Sequence, residues 1–213
     1  MFFKDRHDAG IKLAQKLSIY AKDKNAVVIG LPRGGIVVAQ VIAQKLNLPL
    51  DIIVTRKIGA PYTPELALGA LTQEGEPMLD KKLLDMTNYK KEDLKDTIEK
   101  EKKELERRMK LYRKDYLEVD LKNKIVILID DGMATGCTMR AAIKSVKNKG
   151  AKKVIVAIPV GPLDVCDQLK NEVSSVICIH KPITFDAIGI YYDNFEQIED
   201  DQVIKLLGES GKE

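Results

Sequence analysis

Asp130 and Asp131 stand together at the end of an apolar run in the stretch ILIDDGMATGCTM, residues 127–139, and small or hydroxylated residues follow them. A loop of this kind between a strand and a helix leaves the first helical N–H groups without partners, and the helix dipole adds positive potential at the same place. A phosphate is the natural guest. Thr135 and Thr138 can add hydroxyl donors. A carboxylate pair repels that phosphate, so the acids must serve another part of the same ligand. A sugar diol or a bridging cation meets that requirement. The implied ligand is a phosphorylated sugar. Two competing loops fail on residue grounds. A Walker loop needs Lys after its last glycine, and Cys137 follows Gly136; a dinucleotide fingerprint needs a third spaced glycine, and only Gly132 and Gly136 are present. Alone, DDG is an ordinary strand-ending turn; the acid pair, small loop, Thr-Gly and helix together point to the phosphate.

The elements that must position this loop follow from periodicity. Residues 5–17 place Ala9, Leu13 and Leu17 at helical spacing and predict an amphipathic N-terminal helix. AVVIG (26–30), the turn LPRGG, a helical stretch ending near Asn47 and Pro49, and DIIVT (51–55) form a strand, helix, strand unit. LALGALT (66–72) reads as a further strand, closed by the turn signal QEGEP. From Asp80 to about Tyr116 the chain is polar and helical, with a thin stripe of Leu94, Ile98, Glu101, Leu105, Met109 and Tyr112, so this helix belongs on the surface of the core or projects from it. Its interleaved acids make a solvated helix a better reading than a nucleic-acid surface. KIVILID (124–130), a helix ending at Gly150, and KVIVAIPV (153–160) make a second unit. A helix near 163–171, a last buried strand VSSVICI and a short helix near 200–208 complete the order. The expected fold is an α/β open sheet, mainly parallel, flanked by helices. Ligands in such sheets bind beyond the carboxyl ends of the strands.

The 213 residues suit a single domain, 1–213, with a helical insertion at 80–118 and a small hood from the termini that includes 181–213. Apolar residues at 45% and charged residues at 31% exclude a disordered or fibrous chain. A formal charge of +3, from 35 basic and 32 acidic residues, gives little steering toward nucleic acid or membrane. No apolar run approaches the roughly 20 residues of a membrane span, and the N-terminus is charged where a secretory signal needs its apolar stretch. Cys137, Cys166 and Cys178 are odd in number and lack CxxC spacing, which fits a reducing cytoplasm and disfavours a zinc site. With His7 and His180 as the two histidines, a His-based metal centre or Ser/His triad is poorly supplied.

The segment VILIDDGMATGCTM resembles the signature of type I phosphoribosyltransferases, and three other places agree in order. GLPRGG after the first strand resembles their pyrophosphate loop; TRKIGAP after the second resembles the Arg-Lys segment of adenine and orotate transferases. The whole chain, including DRHDAG at the start and FDAIGIYYDNF near the end, is similar to a group of uncharacterised phosphoribosyltransferases. The resemblance implies an Mg2+-dependent transfer of the phosphoribosyl group of phosphoribosyl pyrophosphate to a nitrogenous acceptor such as a nucleobase, within nucleotide and nucleoside metabolism. It implies that Asp130 and Asp131 hold the ribose hydroxyls and that Ala134, Thr135, Gly136, Cys137 and Thr138 cradle the 5-phosphate. Arg33, Gly34 and Gly35 would face the pyrophosphate, where glycine lets the backbone approach and arginine supplies a forked cation. A non-proline cis peptide is expected around Pro32 to Gly34. Arg56 and Lys57 either join the pyrophosphate site or cap a strand end. Catalysis would fall to Asp130, Asp131, Arg33 and Lys57, with Mg2+ carried by substrate oxygens and, at most, by Asp130 and Asp131. Phe185, Tyr191 and Tyr192 either stack on the acceptor or pack in a core. Ala134 stands where 6-oxopurine transferases carry an Asp, which disfavours hypoxanthine and guanine as acceptors. Cys137 at a helix N-terminus has reason for a lowered pKa, but a small buried residue is the better reading. The partners implied are small molecules, without membrane or nucleic acid, and a homodimer is the commonest oligomer. A regulatory protein that binds phosphoribosyl pyrophosphate without catalysis is the alternative function.

Overall fold

A computed structural model of the chain describes residues 2–210. Residues 1 and 211–213, part of the expected domain and hood, lie outside the described residues. The first helix, α1 (Arg6–Lys16), is capped by the Asp5 carboxylate, which accepts from the Asp8 N–H, and buries Ala9 and Leu13 as the spacing predicts. β1 (Ala26–Gly30) is buried throughout; α2 (Gly34–Leu46) follows and stops at Asn47, whose left-handed φ of 51° ends the helix. The run expected as a strand at 51–55 narrows to β2 (Leu50–Ile52).

A hairpin comes next, formed by β3 (Arg56–Ala60) and β4 (Thr63–Leu71), with β5 (Pro77–Leu79) added after a turn at Gly75. The expected strand at 66–72 thus belongs to a separate three-stranded antiparallel sheet. Two residues separate Ala60 from its partner Thr63, too few for a parallel crossover.

The polar segment breaks into α3 (Lys81–Thr87), a left-handed Asn88 and a single 3-10 turn before α4 (Lys95–Tyr112). The stripe behaves as its spacing requires: Leu94, Ile98, Leu105 and Tyr112 are buried. Arg113, just past α4, donates to the buried Asp51 carboxylate at 2.5 Å and to the Ile52 carbonyl at 2.9 Å, tying the return of the chain to β2.

β6 (Ile125–Ile129), α5 (Cys137–Asn148), β7 (Lys153–Val160), α6 (Leu163–Leu169), β8 (Ser175–His180) and α7 (Asp200–Ser210) complete the chain. The main sheet is parallel in the order β2-β1-β6-β7-β8. Alternate residues of its strands feed two cores. Val28, Ile127 and Ile155 pack with α1 and α2, whereas Val27, Val126 and Val156 pack with α5 and α6. β8 corrects an expectation: every residue in it is half-buried, because it is an outer strand with one neighbour.

The two chain ends form one layer. Phe3 bridges Tyr192 in parallel, the Asp193 N–H donates to the Phe3 carbonyl at 2.9 Å, and the Asn194 N–H donates to the Lys4 carbonyl at 2.8 Å. Phe3, Ala9, Val160, Tyr191 and Tyr192 share a small apolar core there.

Candidate functional site

β6 carries Asp130 and Asp131 to the carboxyl edge of the sheet, beside the end of β1, where the Leu31 N–H donates to the Ile129 carbonyl at 2.9 Å. The Pro32–Arg33 peptide that follows is cis, as expected, and α2 starts at Gly34. Both glycines of this turn are required by proximity. A Cβ at Gly34 would fall on the Asp131 carboxylate, and one at Gly35 would sit 2.8 Å from the Ile129 carbonyl oxygen and 2.9 Å from Asp130 Oδ1. Two helix N-termini, neither with a side-chain cap, therefore flank the acids: α2 at Gly34 and α5 at Cys137. Gly136 adopts a φ of 78° to turn the loop into α5. Arg140 holds that loop from outside, donating to the Thr135 carbonyl at 3.2 Å while its other nitrogens reach Glu172 and Gln168.

The two acids differ in their surroundings. Asp131 is 8% exposed; its Oδ2 accepts from Arg6 Nε at 2.8 Å, and its main-chain carbonyl accepts from the Tyr192 hydroxyl at 2.5 Å. Burial, with the nearby carboxylates adding, keeps the Tyr192 hydroxyl firmly protonated. Asp130 has a weaker set of partners: its Oδ1 accepts the Asp131 N–H at 2.9 Å. Burial first, and the Asp131 carboxylate second, push the Asp130 carboxyl well above the usual range. Asp130 is thus disposed to keep its proton, while Asp131 is ion-paired with Arg6.

A cavity of about 520 Å3 opens on Asp130 and Asp131 and extends along Gly132 to Thr138. Lys57 and Glu65 of the hairpin form one wall, and Phe185, Ile188 and Phe195 another. Lys57 Nζ lies 3.1 Å from Glu65, which is almost fully exposed. Ala134, Thr135, Gly136, Cys137 and Thr138 all line the cavity, so the loop, the acid pair, Lys57 and Phe185 are brought together.

Other expected residues lie elsewhere. Arg33 is turned to Glu199, with Nη1 and Oε2 3.0 Å apart. Arg56 points to the opposite face of β3 from Lys57 and pairs with Glu101 of α4 at 2.6 Å, and it does not line this cavity. Tyr191 and Tyr192 are 7% and 2% exposed and belong to the terminal core, and they do not line the cavity. Cys137 is buried, and burial raises its pKa above the ordinary thiol value, outweighing the Thr135 hydroxyl and the helix N-terminus. Of the two readings of Cys137, the favoured one, a small buried residue, is what the structure shows. Arg6, Glu65, Ile188 and Phe195 were not anticipated. A signal for Arg6 exists: positions 6, 9, 13 and 17 share one helical face, so a charge sits on the apolar stripe of α1 and needs a buried partner.

Residues 4–193 match the model of the phosphoribosyl transferase domain family. The chain belongs to that family. As a phosphoribosyl transferase domain it is 39% identical over 205 residues to proteins from two strains of Mycobacterium tuberculosis, both named as inferred phosphoribosyl transferases. The match covers 96% of this chain and 46% of theirs, so the chain spans about half the length of these relatives. A crystal structure from Thermus thermophilus is 37% identical, covers 98% of this chain and 99% of its own, and superposes with a TM-score of 0.80. Among the described residues no helix is long and apolar enough to cross a membrane. No group of three or more His, Cys, Asp or Glu able to hold a metal occurs among them.

Proposed function

We propose that this phosphoribosyl transferase domain binds phosphoribosyl pyrophosphate and transfers its phosphoribosyl group to a nitrogen nucleophile. The observation that carries the reading is an acid pair flanked by two helix N-termini without side-chain caps, where the acids and the N-terminus of α5 line one cavity. The N-terminus of α5, with Thr135 and Thr138, suits the 5-phosphate. Asp130 and Asp131 suit the ribose diol. The Gly34–Gly35 backbone suits the pyrophosphate, with Lys57 lining the cavity and Arg33, at the N-terminus of α2, paired with Glu199.

In this reaction the acceptor nitrogen forms a bond to the anomeric carbon as the bond from that carbon to the pyrophosphate oxygen breaks, and the electron pair leaves with pyrophosphate. The protein contributes placement and electrostatic stabilisation: cations and backbone N–H groups toward the leaving group, carboxylates toward the electron-poor sugar. Mg2+ fits the residues present. Burial and the Asp131 carboxylate disfavour the ionised form of Asp130, and a cation held with substrate oxygens would relieve that cost. Such an ion would neutralise charge on the pyrophosphate.

The acceptor would enter between Phe185, Ile188 and Phe195. Ala134, at the loop position that an acid occupies in 6-oxopurine transferases, favours another base. A ligand-sensing protein would use the same sugar site. In its favour, both candidate pyrophosphate cations, Arg33 and Lys57, are already paired with acids. Incubation with phosphoribosyl pyrophosphate, Mg2+ and a panel of bases separates the readings. Pyrophosphate release with any base establishes transfer; tight binding without release across the panel favours sensing; no binding at all removes both.

A further inference from the structure

Arg6 is buried at 8% exposure, and every polar direction of its guanidinium with a described partner leads to one junction. Nε donates to Asp131 Oδ2 at 2.8 Å, Nη1 donates to the Glu196 carbonyl at 2.7 Å, and the guanidinium carbon lies 3.9 Å from the centre of the Phe195 ring. A Cβ on Gly34 would approach Arg6 Nε to 3.0 Å as well as striking Asp131. Four separate segments therefore meet on one carboxylate: α1, the turn before α2, the loop after β6 and the segment at 192–196. Among the described residues Arg6 is the one side chain that donates to the Asp131 carboxylate. A buried ion pair of this kind adds little net stability, because desolvating both ions offsets their attraction. Its consequence is orientation. With Oδ2 held by Arg6 and the main-chain carbonyl held by Tyr192, Asp131 is fixed from two sides where it lines the cavity. The hydrogen bonds of Asp130 run to its neighbour Asp131 and to no distant segment.

We infer that Arg6 is a positioning residue for the sugar site: it fixes the Asp131 carboxylate for the ribose diol and so makes ligand binding depend on α1 and the 192–196 segment being docked. The inference rests on the phosphoribosyl reading above. Arg6 does not line the cavity, so it acts through Asp131.

The test is calorimetric titration of phosphoribosyl pyrophosphate with Mg2+ into the wild type and the Arg6→Gln, Arg6→Lys and Asp131→Asn variants. Inorganic phosphate, followed by 31P NMR, is the probe that lacks a diol. Losing one charge-assisted hydrogen bond predicts that Arg6→Gln weakens phosphoribosyl pyrophosphate by about 10- to 100-fold, while phosphate binding stays within about twofold of the wild type. Arg6→Lys keeps a cation against Asp131 and should recover most of the affinity. If Arg6→Gln fails to fold, Arg6→Lys, which keeps the charge but loses the fork that reaches both Asp131 and the Glu196 carbonyl, should weaken the sugar ligand by about threefold with phosphate again unaffected. Unchanged affinity in Arg6→Gln, while Asp131→Asn loses the ligand, overturns the inference and leaves the sugar site standing. Parallel loss of phosphate and phosphoribosyl pyrophosphate, or no recovery with Arg6→Lys, also overturns it. A wild type that binds phosphate but no phosphoribosyl pyrophosphate removes the phosphoribosyl reading, and this inference with it.

Discussion

The hydroxyl of Tyr192 donates to the main-chain carbonyl of Asp131 at 2.5 Å, so an aromatic from the end of the chain props up the acid loop from behind. Tyr192→Phe leaves that buried carbonyl without a donor. The expected loss is about 1–2 kcal/mol, a fall in Tm of roughly 2–8 °C for a chain of this size. Acceptor preference in a base panel should not change, because the ring lies outside the cavity. A variant that melts like the wild type but shifts its preferred base would return Tyr192 to the acceptor site.

Gly34→Ala places a methyl group on the Asp131 carboxylate. Affinity for phosphoribosyl pyrophosphate should fall at least about tenfold, since either the acid or the turn before α2 must move. Calorimetry on the folded variant is the check, and wild-type affinity would show that the turn and the acid can separate freely.

Asp130 is raised by burial and by Asp131, so the folded protein holds its proton more tightly than the unfolded chain. The stability this group contributes is complete below its unfolded value near 4 and is lost as pH rises through the folded value. Asp130→Asn should therefore melt higher than the wild type at neutral pH, with the gap closing toward pH 4. Sugar-ligand binding should be lost in the same variant. Thermal melts across a pH series decide it; a gap that grows in acid contradicts the assignment.

Arg56 and Lys57 are neighbours in sequence and opposites in space. Arg56→Gln should lower stability by about 0.5–1.5 kcal/mol through its ion pair with Glu101, discounted for partial exposure, and leave affinity for phosphoribosyl pyrophosphate unchanged. Lys57→Gln should do the reverse. Paired melting and binding curves test both, and equal effects of the two substitutions on binding would place both cations in the site.

Cys137 should react with iodoacetamide far more slowly than a free thiol at neutral pH, because burial raises its pKa and hides it. Phosphoribosyl pyrophosphate should slow it further. Mass-spectrometric labelling rates that are the same with and without ligand would count against the phosphate lying at this loop.

Much of the fold was legible because apolar runs such as AVVIG and IVILI have no placement in water other than a sheet covered on both faces. The cavity loop was legible for a related reason: its acids, glycines and threonines act largely through main-chain geometry that local sequence dictates. What stayed hidden depended on distant partners. PML gives no strand signal until β4 offers an edge to pair with, and Arg6 shows its purpose when residue 131 is placed beside it. For Arg56 and Lys57 two readings stood open, and their different surroundings follow a rule that was available: consecutive residues of a strand face opposite ways. Tyr191 and Tyr192 occupy a core that α1 and the first residues complete, and a window of eleven residues does not contain those elements.

The bridge between Phe3 and Tyr192 joins segments far apart in sequence; within the same junction Arg6 reaches across 190 positions to Glu196. Nothing shorter than the span from residue 6 to residue 196 can close that loop. During translation at about 5–20 residues per second, roughly 3–12 s separate the synthesis of the phosphate loop from that of Glu196, and through that interval the second acid is unsupported. On the phosphoribosyl reading, a nascent chain cannot capture its sugar ligand in that interval, and competence arrives late, with the emergence of the segment around Glu196.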